Sequence, residues 1–208
     1  VVINCSTSDQ GELERLLFGY ETPDGLQNIG ALEKANNGTV FLDEVSELPL
    51  ELQGKLLKVL VESFVKRVGS NKKIDVDLRF ISATSTDLSK KIKTKEFRED
   101  LFHRLNVVAI KIPSLNERIQ DVPILAKHFA KKLSFENGLT FREFSDEALT
   151  FLQGMNWPGN IRQLKNLIER VMILGDPTEK INSNELVVSE VKSEEYTKKT
   201  NLISTELA

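Results

Sequence analysis

The sequence predicts an α/β fold, a parallel sheet with helices on both faces, followed by a small all-helical region. Three observations carry this prediction. Between Val1 and Ile112 short apolar runs alternate with helix-like stretches. One of those runs, Val40-Phe41-Leu42, delivers the acidic pair Asp43-Glu44 at its end. After Pro113 only helical patterns remain. A chain of 208 residues, 40% apolar and 28% charged, is long enough to bury a sizeable core.

The elements follow in order. Val1-Val2-Ile3 reads as a buried strand running into the polar Asn4-Cys5-Ser6. Glu12 to Phe18 has Leu13, Leu16 and Leu17 at the spacing of one helix face. Gly19 to Gly38 is turn-rich around Pro23, Asp24, Gly25 and Asn28, with room for a short helix at Gly30 to Ala35. Thr39 to Leu42 is a continuous apolar run, as expected of a central parallel strand. Leu50 to Glu62 is a helix started by Pro49, and Phe64 to Val76 reads as a hairpin turning at Gly69-Ser70-Asn71-Lys72. Leu78 to Ala83 is another strand, Lys91 to Leu105 contains a charged helix, and Val107 to Ile112 is expected to be a closing strand. Beyond it, Val122 to Leu133, Asp146 to Gln153 and Asn160 to Leu174 are helices. A boundary falls near Pro113 to Arg118, and from Ser189 onward the chain reads as a polar tail or linker.

Composition excludes several classes of function. Twenty-eight basic against 31 acidic residues give a net charge of −3, no whole-chain reason to bind nucleic acid. The single Cys5 rules out an intramolecular disulfide and a cysteine-based zinc site, which favours a reducing, cytoplasmic setting. No apolar run approaches the roughly 20 residues needed to span a bilayer. The chain opens on Val1 without a basic-then-apolar leader, and is expected to begin within a longer protein.

Three strings could carry chemistry. Val40-Phe41-Leu42-Asp43-Glu44 matches the Walker B arrangement of P-loop nucleotidases, in which the first carboxylate helps hold magnesium and the second orients and deprotonates water. A strand ending in a solvated acidic turn would read the same way. In Phe97-Arg98-Glu99-Asp100-Leu101-Phe102-His103-Arg104-Leu105, Phe97, Leu101 and Leu105 form a stripe that leaves Arg98 and Arg104 exposed. Those arginines are either solvated surface or arginine fingers that reach a γ-phosphate across a subunit interface. His103 and His128 lack neighbouring ligand residues and read as structural or surface positions. In Trp157-Pro158-Gly159-Asn160-Ile161-Arg162-Gln163-Leu164, the Pro-Gly-Asn turn is expected to cap the next helix, and Trp157 to anchor the helical core. Arg162 falls in a first helical turn, where its charge opposes the helix dipole and hints at a compensating anion.

Together these strings, with Glu14-Arg15-Leu16-Leu17-Phe18-Gly19 and Asn37-Gly38-Thr39, resemble the AAA+ ATPase domain of bacterial enhancer-binding proteins, the sigma-54-dependent transcription activators of the NtrC class. The resemblance runs from Val1 to about Val188. Phe64-Val65-Lys66-Arg67-Val68-Gly69 and Met172-Ile173-Leu174 are similar to the NtrX-like branch, two-component response regulators of nitrogen and respiratory signalling. The resemblance implies a partial AAA+ core over residues 1–113, a helical lid over 114–188 and a tail or linker over 189–208. It implies ATP and Mg2+ as cofactors, with Asp43 as the magnesium carboxylate and Glu44 as the catalytic base. Thr84 matches the sensor I region, Arg98 and Arg104 the arginine fingers of a ring that is usually a hexamer, and Arg162 the sensor II arginine that meets the nucleotide. Phe64 to Val76 matches the hairpin inserted before sensor I.

Two departures shape the functional expectation. The chain contains no G-x-x-x-x-G-K-[ST] loop, which in the family precedes the strand that Val1-Val2-Ile3 represents and supplies most of the phosphate contacts. The chain is therefore expected to be a fragment that does not hydrolyse ATP alone. The family's GAFTGA loop, which engages sigma-54, is replaced by Tyr20-Glu21-Thr22-Pro23-Asp24-Gly25-Leu26-Gln27-Asn28-Ile29-Gly30-Ala31. That replacement argues against direct contact with sigma-54 RNA polymerase. No helix-turn-helix pattern follows Leu174, so DNA binding is expected to reside outside this chain. The expected role is the central ATP-binding module of a response regulator that controls transcription. The alternatives are a non-hydrolysing oligomerisation and regulatory module, and, more remotely, an AAA+ chelatase or helicase-loader subunit.

Overall fold

The computed structural model describes residues 1–7 and 9–187. The expected tail over 189–208 lies outside the described residues. The chain divides into two compact units at Ile110 and Lys111.

The first unit is built on a three-stranded parallel sheet of β1 (Val2–Asn4), β4 (Gly38–Asp43) and β7 (Leu78–Ser82), in that spatial order. β4 is central, as its continuous apolar run predicts: Val2, Ile3 and Asn4 pair with Phe41, Leu42 and Asp43, and on the other side Val40 pairs with Phe80 and Leu42 with Ser82. Ile3, Val40 and Leu42 are buried together with Leu13 and Leu17 of α1 (Gln10–Phe18) and Leu52 and Leu56 of α3 (Leu50–Glu62). Asp9 caps α1 by accepting from the backbone N–H groups of Gly11 and Glu12. The short helix α2 (Ala31–Lys34) lies where the sequence predicts it.

Three features depart from the sequence reading. The stretch between α1 and α2 holds a β-hairpin, β2 (Gly19–Glu21) and β3 (Gln27–Ile29), which its polar residues do not announce. Its base is a glycine crossing. A Cβ on Gly30 would lie 2.3 Å from the Gly19 nitrogen, and Gly19 itself has φ +75°. Second, the charged region after β7 is two helices, α4 (Leu88–Lys93) and α5 (Glu99–Leu105), and Arg98 stands at the N-cap of α5 rather than on a helix face. Third, Val107 to Ile112 forms no strand. Val107 is 77% exposed and Ile110 84%, because no described strand lies alongside to satisfy its backbone or cover its side chains. The expected hairpin at Phe64 to Val76 is present as β5 (Phe64–Val65) and β6 (Ile74–Asp75), and Val68 in its loop bridges to Tyr20 of β2.

The second unit is helical. A 3-10 helix (Leu115–Asp121) leads into α6 (Val122–Asn137), followed by α7 (Asp146–Gly154) and α8 (Asn160–Leu174). Its core gathers Leu115, Ala126, Leu152, Leu164 and Ile168 around Trp157, whose indole donates to the Leu152 carbonyl at 3.1 Å. Asn160 does not cap α8 as expected. Its φ is +52°, and its side chain accepts from the Leu115 backbone N–H at 2.7 Å, tying the turn to the 3-10 helix. The Gly159 N–H is instead satisfied by Gln163 Oε1, one turn along. No helix among the described residues is long and apolar enough to cross a membrane.

Candidate functional site at the carboxyl edge of the sheet

Parallel strands place the residues at their carboxyl ends along one edge, where open α/β sheets bind ligands. Here that edge collects Asn4 from β1, Asp43 and Glu44 from β4, and Thr84 and Ser85 after β7. The frame under them is backbone. Cys5 N–H donates to the Asp43 carbonyl at 2.8 Å, Ala83 N–H to Leu42 at 2.8 Å, and Val45 N–H to Ala83 at 2.9 Å.

Asp43 and Glu44 are each half-buried. Glu44 sits at φ 51°, ψ 51°, the left-handed region that a non-glycine residue visits at a cost of about 1–3 kcal/mol, so the surrounding chain must hold it there. One consequence is that the Glu44 N–H turns back to Asp43 Oδ1 at 3.1 Å. The Glu44 carboxylate points across the edge and accepts from the backbone N–H of Ser85 at 3.1 Å and its hydroxyl at 3.0 Å. The neighbouring Thr84 is exposed, and its hydroxyl donates to the Thr86 carbonyl and accepts from the Thr86 N–H. Asn4 is occupied locally, accepting from Ser6. Beneath the edge, burial and the Asp43 charge push the Cys5 thiol up to about 12, so it stays neutral beside the carboxylate.

Arg98 and Arg104 are both exposed, as the stripe predicts, but neither is free. The Arg98 guanidinium forks onto Asp100, Nε to Oδ1 at 3.0 Å and Nη2 to Oδ2 at 2.7 Å. That contact holds the Asp100 carboxyl below its ordinary range. Arg104 donates to the Leu60 carbonyl near the end of α3 at 3.2 Å. The turn that delivers Arg98 hangs from Gln53, a fully buried residue of α3. Gln53 accepts from the Arg98 N–H at 2.8 Å and donates to the carbonyls of Leu48 and Glu96.

In the second unit Arg162 is exposed in the first turn of α8, the position read from the sequence. His103 is exposed, and no cluster of three or more His, Cys, Asp or Glu residues able to hold a metal occurs among the described residues. The structure thus gathers Asp43, Glu44 and Thr84 along one edge. Sequence reasoning missed Ser85, Asp100 and Gln53. Ser85 directly follows Thr84 and Asp100 lies two residues after Arg98, so proximity was the available signal. For Gln53 there was none.

Comparison with known proteins follows the same division of the chain. A family model described as the sigma-54 interaction domain matches residues 1–111, and one described as an AAA+ ATPase lid domain matches residues 116–202. The chain is 44% identical over 189 residues to the nitrogen assimilation regulatory protein NtrX of Azorhizobium caulinodans, covering 89% of this chain and 42% of that protein. It superposes on the crystal structure of NtrX from Brucella abortus with a TM-score of 0.84 at 42% identity, covering 88% of this chain and 43% of that one. The Brucella protein in complex with ATP gives a TM-score of 0.82 at 41% identity, covering 89% and 41%. The chain spans about two fifths of the length of these relatives.

Proposed function

Because the chain belongs to the sigma-54 interaction domain family of AAA+ proteins, we propose that it is the nucleotide-responsive core of a two-component transcription regulator. The observation that carries this is the Asp43-Glu44 pair at the end of the central strand, with Glu44 hydrogen-bonded to the loop after β7. The donor set suits a hard divalent cation, since Asp43 accepts a backbone N–H at one oxygen and keeps lone pairs available at the other. Bound ATP and Mg2+ would supply the phosphoryl group and the charge that offsets its negative oxygens. Asp43 is assigned to the metal. Glu44, released from Ser85, would orient water and accept its proton, a general-base role worth about 10²–10⁴-fold. Thr84 would report on the γ-phosphate from the neighbouring loop. Arg98 and Arg104 would serve an adjoining subunit of a ring, and Asp100 would keep the Arg98 fork aimed until a phosphate competes for it. Arg162 is assigned to the nucleotide from the lid.

A second reading, a regulatory module that assembles without hydrolysis, is favoured by the β2–β3 hairpin, whose Thr-Pro-Asp-Gly-Leu tip carries no Phe-Thr pair for a sigma factor. Direct sigma-54 contact is therefore not part of the proposal, and no DNA-binding role is assigned to the described residues.

The test has two arms. The chain is titrated with Mg2+ and a fluorescent ATP analogue beside Asp43→Ala, and phosphate release is measured for the chain and for the longer parent protein. The expected result is negligible turnover by the 208-residue chain, since it has no Gly-rich phosphate loop, and turnover by the parent that Glu44→Gln lowers by about 10²-fold or more. A parent that binds ATP in an Asp43-dependent way without hydrolysing it would instead establish the regulatory module.

A further inference from the structure

We infer that a cleft of about 480 Å³ between α3 and the β5–β6 hairpin, closed on a third side by α1, binds a small planar organic anion of the mononucleotide or aryl-phosphate class. Its volume lies in the range of about 300–1,000 Å³ typical of small-ligand sites. The floor is apolar, made by Phe18, Val59 and Phe64. Phe64 is half-buried and carries the Lys73 ammonium 4.2 Å from its ring centroid, which holds that cation against the apolar floor.

The electrostatics of the rim select an anion. Two of its cations are already neutralised: Lys55 pairs with Glu14 and Glu51, and Arg67 forks onto Glu33. Lys58, Lys66 and Lys73 have no carboxylate partner among the described residues, and the single unpaired carboxylate at the rim is Glu62. Three unpaired lysines against Glu62 and the second carboxylate on Lys55 leave a surplus of one positive charge, on a chain whose net charge is −3, which favours an anionic phosphate group. Glu62 is left to accept a ring N–H or a sugar hydroxyl. A duplex or other long polyanion fits less well, because the lysines ring a concave apolar floor rather than line a track.

The site is preformed. Besides its fork on Glu33, Arg67 donates to Gln27 Oε1 at 2.7 Å, and the hairpin loop exchanges backbone bonds with β2, Glu21 N–H to Val68 at 2.8 Å and Val68 N–H to Gly19 at 3.0 Å. None of these residues belongs to the Asp43 edge, so the inference stands apart from the ATP reading. A ligand here would clamp both hairpins to α3.

The test is an amide NMR titration of the 15N-labelled chain with guanosine monophosphate, 1-naphthyl phosphate and inorganic phosphate. The expected result is saturable shifts at Phe64, Val68 and Gly69 with a Kd on the order of 0.1 mM for at least one planar ligand, and about tenfold weaker binding of inorganic phosphate. The double variant Lys58→Glu/Lys66→Glu, at two exposed positions, should keep the spectrum of the fold and lose at least about tenfold in affinity. Saturation by the nucleotide identifies a nucleotide ligand. Saturation by naphthyl phosphate alone identifies a non-nucleotide aryl phosphate. Absence of saturable shifts up to about 10 mM, or unchanged affinity in the double variant, overturns the inference.

Discussion

Gln53 illustrates how one buried amide can organise a surface turn. It joins Leu48, Glu96 and Arg98, so its replacement strands two carbonyls and one N–H. Gln53→Leu should lower the unfolding free energy of the first unit by about 3 kcal/mol in urea titrations, while Gln53→Glu should retain the bond to the Arg98 N–H. Arg142 plays a similar part in the second unit. Its guanidinium, 1% exposed, donates to the carbonyls of Val171 and Glu179 and pairs with Glu185 at 2.9 Å. Cys5 sets a limit at alkaline pH. Its thiol is held neutral in the fold up to about 12 against an ordinary value of 9.0, so between these values the unfolded chain has lost a proton that the folded chain retains. Stability should therefore fall with rising pH across that window by up to about 1.4 kcal/mol per unit more than in Cys5→Ala, measured as urea midpoints from pH 9 upward. Asp43 and Glu44 were legible because an apolar run ending in two carboxylates is a pattern. Gln53 and Arg142 were not, because their roles rest on distant partners, 43 and 45 positions away for Gln53 and 29 to 43 for Arg142.

The strands and long helices follow from periodicity, and the misreadings follow from its absence. β2 and β3 are three residues each and polar, held by the close approach of two glycines rather than by apolar alternation. Gly19→Ala would place a Cβ 2.3 Å from the Asn28 carbonyl oxygen at a positive φ, so the hairpin base must open. The expected outcome is a loss of about 2 kcal/mol, seen as a melting temperature lowered by several degrees. In the opposite direction, Val107 to Ile112 is apolar enough to read as a strand, but a strand exists only by pairing. The hairpin at Phe64 was legible because its loop carries Gly69, which has φ +82° and whose Cβ would meet the Glu21 carbonyl oxygen at 2.4 Å. At Gly175 the neighbours are side-chain tips rather than backbone, and a Cβ would fall 1.8 Å from Arg142 Nη1. Gly175→Ala should therefore shift the buried Arg142 guanidinium and weaken its pair with Glu185, seen as faster proteolysis of the second unit.

At the scale of the whole chain, each unit owns its hydrophobic core, one around Leu42 and Leu56 and one around Trp157. A piece spanning residues 111–187 should accordingly unfold in a single cooperative transition of its own, followed by Trp157 fluorescence, since that indole is fully buried. The sequence expectation of a boundary near Pro113 to Arg118 rests on the disappearance of strand patterns there, a change of texture that needs no knowledge of contacts. The sheet of the first unit carries a further consequence. Among the described residues β7 pairs on one side alone, with β4, which leaves its other margin without a strand partner, and Val107, Val108 and Ile110 of the same unit are exposed. Such a margin is a template for self-association, and nothing in Leu78–Ser82 blunts it beyond Arg79. Handling of the isolated chain should therefore be governed by colloidal behaviour: light scattering that climbs with protein concentration, precipitation promoted by sulfate, and recovery of clear solutions when a lysine replaces Val108 or Ile110.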